Sequence, residues 1–169
     1  ITKLATNCFL TMKIAFANSI GDLSEKTGAE TEKILAAIGS DSRIGNKFLR
    51  YGYGFGGPCF PRDNRALDYF GKQHQYDLLL SKATDECNRL HLEFQFQQYM
   101  RANVNGNPIH FYSLTYKAGT TILEESQQLA LAVKLAEAGK KVIIHESDEV
   151  IKEVQSRYGN IFEYAKNDA

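Results

Sequence analysis

The residues with the clearest chemical potential form the segment Gly52-Tyr-Gly-Phe-Gly-Gly-Pro-Cys-Phe-Pro-Arg-Asp63. Its four glycines let the backbone approach a ligand closely, and Pro58 and Pro61 fix the backbone on both sides of Cys59. Because Pro61 suits the first turn of a helix, Cys59 is predicted just before a helix N-terminus, with Asp63 in the first turn. A helix N-terminus favours the thiolate form of cysteine. The segment therefore predicts a nucleophilic cysteine.

Two simpler interpretations of this segment stay open at this point. A glycine-rich loop is often only a turn, and an isolated cysteine is often buried and inert. Gly52, Gly54 and Gly57 also match G-x-G-x-x-G. No apolar strand precedes them, and Pro58 follows, so a dinucleotide-binding turn is not predicted here.

Three further polar residues are candidates for binding charge. Lys3 and Asn7 are four residues apart on a predicted helix and share one face. Together they could stabilise a developing negative charge. Alternatively, Lys3 is a solvated terminal residue and Asn7 a satisfied core amide. Arg43 lies in the polar turn 40–45, where an exposed guanidinium is usually only solvated.

The composition restricts the class of protein. The chain has 169 residues, enough for one domain or parts of two, and its 20 basic and 20 acidic residues give no indication of nucleic-acid or membrane binding. Three widely spaced cysteines and four scattered histidines predict neither a disulfide framework nor a metal site, and they favour a cytoplasmic location. The first residue is Ile1 and not Met, so an excised fragment is expected.

The apolar pattern predicts a mostly α-helical part followed by an α/β part. The turn formers at 103–108 mark the boundary, which gives domains 1–104 and 105–169. The first helix is apolar nearly all round and is expected to be buried. Helices are predicted at 1–27, 31–38, 62–73, 78–102, 124–138 and 148–158, and parallel strands at 109–115, 141–145 and near 161–162.

These features together resemble the nucleotide-sugar dehydrogenase family, the UDP-glucose/GDP-mannose dehydrogenases. The resemblance covers essentially the whole chain. It rests on Lys3-x-x-x-Asn7, Asp41-Ser-Arg43-Ile-Gly, Gly54-Phe-Gly-Gly-x-Cys59-Phe-Pro-Arg-Asp63, Asn88 and Tyr116-Lys117-x-Gly-Thr. It implies a helical central (dimerisation) domain and a truncated, Rossmann-like UDP-binding domain, with the NAD-binding domain outside this chain.

The resemblance also implies a reaction and a role for each site residue. The enzyme would oxidise the C6 alcohol of a UDP-sugar to a carboxylate with NAD, as in the UDP-glucose branch that serves polysaccharide biosynthesis. Cys59 would form a thiohemiacetal and then a thioester, Lys3 and Asn7 would stabilise the C6 alkoxide, and Asp63 would assist hydrolysis. Implied substrate contacts are Arg43, from the neighbouring subunit of a homodimer, and Phe48, Leu49, Arg50, Tyr51, Gly52, Gly56, Tyr116 and Lys117. An implied cofactor contact is Gly57.

The sequence departs from the family pattern at a few positions. Glu124 stands where an arginine that touches NAD is expected, and an anion beside a pyrophosphate is unfavourable. Pro58 and Ser19 replace a common Ser and a common Glu. Two alternatives therefore stay open: another thiol enzyme, which would need a His or a second Cys near Cys59, and a degenerate, non-catalytic dimerisation module.

Overall fold

The helical segments come first along the chain and the α/β segments follow, which confirms the predicted fold class. The computed structural model describes residues 1–165. Its helices are α1 (Thr2–Thr27), α2 (Thr31–Ser40), α3 (Phe60–Gln73), α4 (Leu79–Ala102), α5 (Gln127–Glu137) and α6 (Asp148–Tyr158), and its strands are β1 (Ile109–Phe111), β2 (Val142–Ile144) and β3 (Glu163–Tyr164).

Two predicted boundaries were wrong by three or four residues, and the edge strand predicted near 161–162 lies two residues later. β1 ends at Phe111 and not at 115, because the amide of Leu114 donates to the side chain of Glu146 at 2.6 Å and not to a neighbouring strand. α5 starts three residues later than predicted, after Ser126, whose hydroxyl accepts a hydrogen bond from the amide of Leu129. The edge strand β3 follows the predicted 161–162 instead of occupying it.

α2 also runs through Gly39, where the sequence predicted its end. A Cβ atom added at Gly39 would lie 3.1 Å from Cα of Asn46. This glycine therefore makes room for the following turn and does not end the helix.

The chain forms two compact units, and the division between them lies within α4, between His91 and Leu92. The predicted domain boundary at 104/105 stays a prediction. On the second side of this division, Leu92, Phe96, Tyr99 and Met100 pack against the core of the α/β segments.

In the first unit, α1 approaches its neighbours through small and polar residues. Its buried positions are Thr11, Ala15, Ala17, Asn18, Gly21 and Ser24. The expectation that this helix is buried all round was wrong for residues 1–165, because Phe9, Phe16 and Leu23 are 58%, 47% and 56% exposed. The spacing of apolar residues alone does not show which face of a helix packs against the rest of the same chain.

The second unit is built on a three-stranded parallel sheet in the order β1-β2-β3. Ile109 pairs with Val142 and Phe111 with Ile144, so both side chains of β1 point into the same core. That core also contains Leu114, Leu123, Leu129, Leu131, Leu135, Val150, Val154 and Phe162. Among residues 1–165, no helix has the length and apolar content to cross a membrane.

Candidate active site

Cys59 immediately precedes α3, at the position that the sequence predicted. It is the N-cap residue of the helix, with Pro61 in the first turn, and its thiol is exposed. The guanidinium of Arg62 lies 3.9 Å from Sγ. The sulfur thus lies beside a cation at the N-terminus of a helix, and its exposure leaves it open to a substrate.

The carboxylate of Asp63 gathers three donor side chains beside the thiol. Asn7 donates to Oδ2 at 2.7 Å, the ammonium group of Lys3 lies 3.0 Å from the same oxygen, and Arg62 donates to Oδ1 at 3.0 Å. Asp63 itself is only 1% exposed. Burial acts to raise the pKa of this carboxyl, but the hydrogen bonds from Lys3, Asn7 and Arg62 outweigh it and hold the pKa below its ordinary value. Asp63 therefore stays ionised and fixes the donors around it.

A buried polar row next to Asp63 ties three helices together. The hydroxyl of Thr11 on α1 donates to Oδ1 of Asn64 at 3.1 Å, and Nδ2 of Asn64 on α3 donates to Asp85 on α4 at 2.9 Å. Thr11 and Asn64 are fully buried. Because a buried polar group must find a partner, this row sets how the helices meet at the base of the site.

Side-chain amides from α1 and α4 hold the glycine-rich loop. Asn18 accepts from the amide of Gly52 at 3.1 Å and donates to the carbonyl of Tyr53 at 3.4 Å. Asn88 exchanges two hydrogen bonds of 2.9 Å with the backbone of Phe55. The loop that leads to Cys59 thus has a defined path, although it belongs to no sheet.

Most of the predicted substrate residues lie along the segment that enters this loop. Phe48 adopts a left-handed backbone conformation, with φ of 62°, and its ring meets that of Phe60 edge-on at 6.3 Å. Such a conformation is unusual for a bulky residue and is more frequent at functional sites. Phe48, Leu49 and Arg50 line an open cavity of about 450 Å³ together with Glu32, Leu35, Ala36, Asn46 and Lys47.

The other predicted site residues are placed as follows. Arg43 is exposed and pairs with the carboxylate of Asp41 in its own turn. Gly57 is buried with φ of 80°, and Gly56 next to it is half-buried. Tyr116, Lys117 and Glu124 belong to the second unit, where Lys117 and Glu124 are exposed. Hydrogen bonds from Thr115 and Thr120 to the carbonyl of Lys117 close that loop.

The sequence analysis missed the roles of Arg62 and of a pair formed by the buried His91 and the half-buried Asp22. Arg62 contacts both Cys59 and Asp63. His91 lies three residues after Asn88 on α4, and that spacing places both on one helix face. This spacing was the available signal, since Asn88 was already singled out. Among residues 1–165, no group of three or more His, Cys, Asp or Glu is arranged to hold a metal ion.

Comparison with known proteins gives a consistent result. Residues 1–90 match the model of the UDP-glucose/GDP-mannose dehydrogenase family, central domain. The chain is 37% identical over 145 residues to a UDP-glucose 6-dehydrogenase of Rhizobium meliloti, covering 84% of this chain and 33% of that protein. It is 35% identical over 169 residues to UDP-glucose 6-dehydrogenase TuaD of Bacillus subtilis, covering 95% of this chain and 36% of the relative.

A solved structure supports the same assignment. A UDP-glucose dehydrogenase from the hyperthermophilic archaeon Pyrobaculum islandicum superimposes with a TM-score of 0.87 at 30% sequence identity, over 98% of this chain and 39% of that one. The chain thus spans about a third of the length of the curated relatives it matches.

Proposed function

The chain belongs to the UDP-glucose/GDP-mannose dehydrogenase family, and from this premise we propose that it forms the thiol-bearing part of an NAD-dependent UDP-sugar 6-dehydrogenase, with UDP-glucose as its substrate. The observation that carries the proposal is the exposed Cys59 at the start of α3, beside the donors gathered by Asp63. The similarity to UDP-glucose 6-dehydrogenases supports the choice of sugar.

Cys59 is the proposed nucleophile. Its thiolate adds to the C6 carbonyl carbon of the aldehyde stage, the C–S bond forms, and the electron pair of the C=O double bond moves to oxygen as an alkoxide that then takes a proton. The second oxidation, in which C6 of the thiohemiacetal would give up a hydride to NAD and its hydroxyl a proton, would yield the thioester. Water then adds to the acyl carbon and the C–S bond breaks, which releases the carboxylate and regenerates the thiol. The guanidinium of Arg62 lies 3.9 Å from Sγ and so stands next to the reacting atom.

Lys3 and Asn7 are the proposed donors to the alkoxide. An ammonium group carries three N–H donors and a side-chain amide carries two, so binding to Asp63 does not use them all. The side chain of Lys3 is 66% exposed, which keeps its remaining donors accessible to a ligand. Donors held in place before the reaction stabilise a developing oxyanion without reorganisation.

For Asp63 the geometry favours a positioning role. Its two oxygens already accept from Lys3, Asn7 and Arg62, and its lowered pKa makes it a poor acceptor of a further proton. The assistance to thioester hydrolysis that the sequence suggested stays a prediction. Whether Asp63 positions the donors or assists hydrolysis, loss of its carboxylate disturbs the positions of Lys3 and Asn7.

The glycine-rich loop of this chain does not fit NAD as a dinucleotide-binding turn. The glycine-rich loop follows coil and not a strand, and the amides of Asn18 and Asn88 hold its backbone. Glu124 places an anion where the family has a cation. The two oxidations require NAD as hydride acceptor, and we assign its binding to another part of the enzyme. The contact of Gly57 with the cofactor stays a prediction.

We place the nucleotide sugar against the segment 48–52 and its cavity, where Lys47 and Arg50 supply cations for the diphosphate. Contacts from Tyr116 and Lys117 stay predictions. We also propose a homodimer, because the exposed apolar residues Phe9, Phe16 and Leu23 recur every seven positions along α1 and form one stripe.

The proposal is tested by NADH formation in the natural protein that contains these residues, supplied with NAD and UDP-glucose. Two NADH per sugar are expected from the unsubstituted protein and from a Cys87→Ser control. Cys59→Ser should not complete the second oxidation, so it should form at most one NADH per sugar. The 169-residue chain alone is expected to form no NADH. Absence of turnover with every UDP-sugar, from a folded protein, would favour a degenerate relative that has lost cofactor binding.

A further inference from the structure

A buried histidine joins α1 to the glycine-rich loop. His91 is 2% exposed; its Nδ1 lies 2.9 Å from both carboxylate oxygens of Asp22, and its Nε2 lies 2.6 Å from the carbonyl oxygen of Gly52. The hydroxyl of Tyr51 donates to the same carboxylate at 3.0 Å. Gly52 is therefore held on both sides, since its amide donates to Asn18.

The contacts of His91 fix the number of protons that the pair carries. A carbonyl oxygen and a carboxylate can only accept hydrogen bonds, whereas a neutral imidazole has a single N–H. Both contacts are satisfied only when the pair holds one proton more than a neutral histidine and an ionised Asp22 together. The count is the same if the shared proton lies on Asp22 and not on Nδ1.

We propose that the pair of His91 and Asp22 is a proton-dependent clamp that positions the loop leading to Cys59. When the pair loses its extra proton, one contact must break. Because a carboxylate is a stronger acceptor than a carbonyl, the remaining N–H stays with Asp22. The lone pair on Nε2 then faces the carbonyl oxygen of Gly52, and the loop is released as the pH rises. His91 is a positioning residue, and its importance for catalysis rests on the proposed function.

The surroundings of the pair allow this exchange of a proton with solvent. A cavity of about 250 Å³ opens beside His91 and Asp22, and Lys26 from α1 and Cys87 from α4 also line it. On the loop side the charged or titratable neighbour is Tyr51, whose pKa is raised by burial and by the carboxylates of Asp22 and Glu25. Tyr51 therefore stays protonated and continues to donate to Asp22 while the clamp titrates.

Nitrogen NMR of the histidine rings in the 169-residue chain, recorded against pH, tests the proton count. We expect Nε2 of His91, the nitrogen that faces the carbonyl oxygen of Gly52, to behave as protonated while the loop is closed. Loss of the proton should coincide with a fall in the hydrogen-exchange protection of the Gly52 amide of about five- to tenfold, which corresponds to one hydrogen bond. An Nε2 that is unprotonated across the range, with constant protection at Gly52, overturns the clamp.

Two variants separate the clamp from a general effect on packing. His91→Gln places an amide N–H near the position of Nε2, so it should keep the Gly52 protection and make it independent of pH. His91→Asn reaches only toward Asp22 and should lose the protection at every pH. Equal behaviour of the two variants, or a persisting pH dependence in His91→Gln, contradicts the proposal. If neither variant folds, the NMR result on the unsubstituted chain decides.

These readouts need no cofactor, substrate or turnover, so they fail independently of the proposed function. In the natural protein with NAD and UDP-glucose, the clamp predicts a fall of kcat at alkaline pH that His91→Gln removes. If the loop is released with pH as described but the protein has no dehydrogenase activity, the clamp is supported and the proposed reaction is refuted.

Discussion

Replacing Asp63 with Asn should lower the free energy of unfolding of the first unit by about 2 kcal/mol at neutral pH. The change keeps the size of the side chain but turns one acceptor oxygen into an NH2 group. In either orientation this group faces donors, because Asn7 and Lys3 meet one oxygen and Arg62 meets the other. The side chains of Lys3 and Arg62 are more than half exposed and can replace the lost contact with hydrogen bonds to water. They therefore contribute little to the loss of unfolding free energy. Most of the cost comes from the half-buried Asn7.

The pH dependence of this effect has a definite sign. The hydrogen bonds from its three partners, working against burial, lower the pKa of Asp63 in the folded chain. A carboxyl with a lowered folded pKa stabilises the fold above its unfolded pKa, and this contribution is lost as the pH falls through the folded value. The difference between Asp63→Asn and the unsubstituted chain should be constant near neutrality and shrink below about pH 4.

Hydrogen exchange of α1 and α3 peptides in increasing urea measures this difference for the first unit alone. Asp77→Asn is the matched control, since Asp77 is an exposed carboxylate paired with Lys82, and it should show no measurable change. The reasoning is refuted if Asp63→Asn is as stable as the unsubstituted chain at pH 7. It is also refuted if the deficit is the same at pH 7 and at pH 3, because the charge of the carboxylate would then be irrelevant.

Three further outcomes follow from the packing and exposure around the loop. Gly21→Ala should cost about 1 to 3 kcal/mol in thermal or urea unfolding, because the new Cβ would lie 2.0 Å from the ring of Tyr51; unchanged stability would contradict this contact. Asn88→Ala should cost about 3 kcal/mol by leaving the buried amide and carbonyl of Phe55 unpaired, and Asn88→Asp should recover part of it. Iodoacetamide should modify the exposed Cys59 first, as peptide mass spectrometry would show; faster reaction of either other cysteine would contradict the assigned exposure.

Local signals in the sequence were sufficient for most helix positions. α1 ends at Gly28 in a left-handed conformation, as the glycine predicted, and Pro61 correctly placed the first turn of α3. The length of the strand after residue 108 was overestimated, because Leu114 continues the apolar run and is fully buried. Its amide is nevertheless satisfied by the side chain of Glu146, a contact across 32 residues that a local pattern does not contain.

The candidate site was predictable where its residues lie close in sequence or carry the family pattern. Cys59, Pro61 and Asp63 fall within one helical turn, so their relation follows from helix geometry. The partnership of Asp22 with His91 spans 69 residues and depends on how α1 meets α4. Nothing in the spacing of either residue indicates the other, and only tertiary packing brings them together.

The loop before Cys59 is organised by side chains from two helices and not by a sheet ladder. Asn18 and Asp22 come from α1, Asn88 and His91 come from α4, and three of the four bind the loop backbone directly. A loop held in this way keeps its path only while the two helices keep their relative position. Substitutions between α1 and α4 should therefore alter the reactivity of Cys59 without touching it, and the position of the thiol is a property of the whole helical unit.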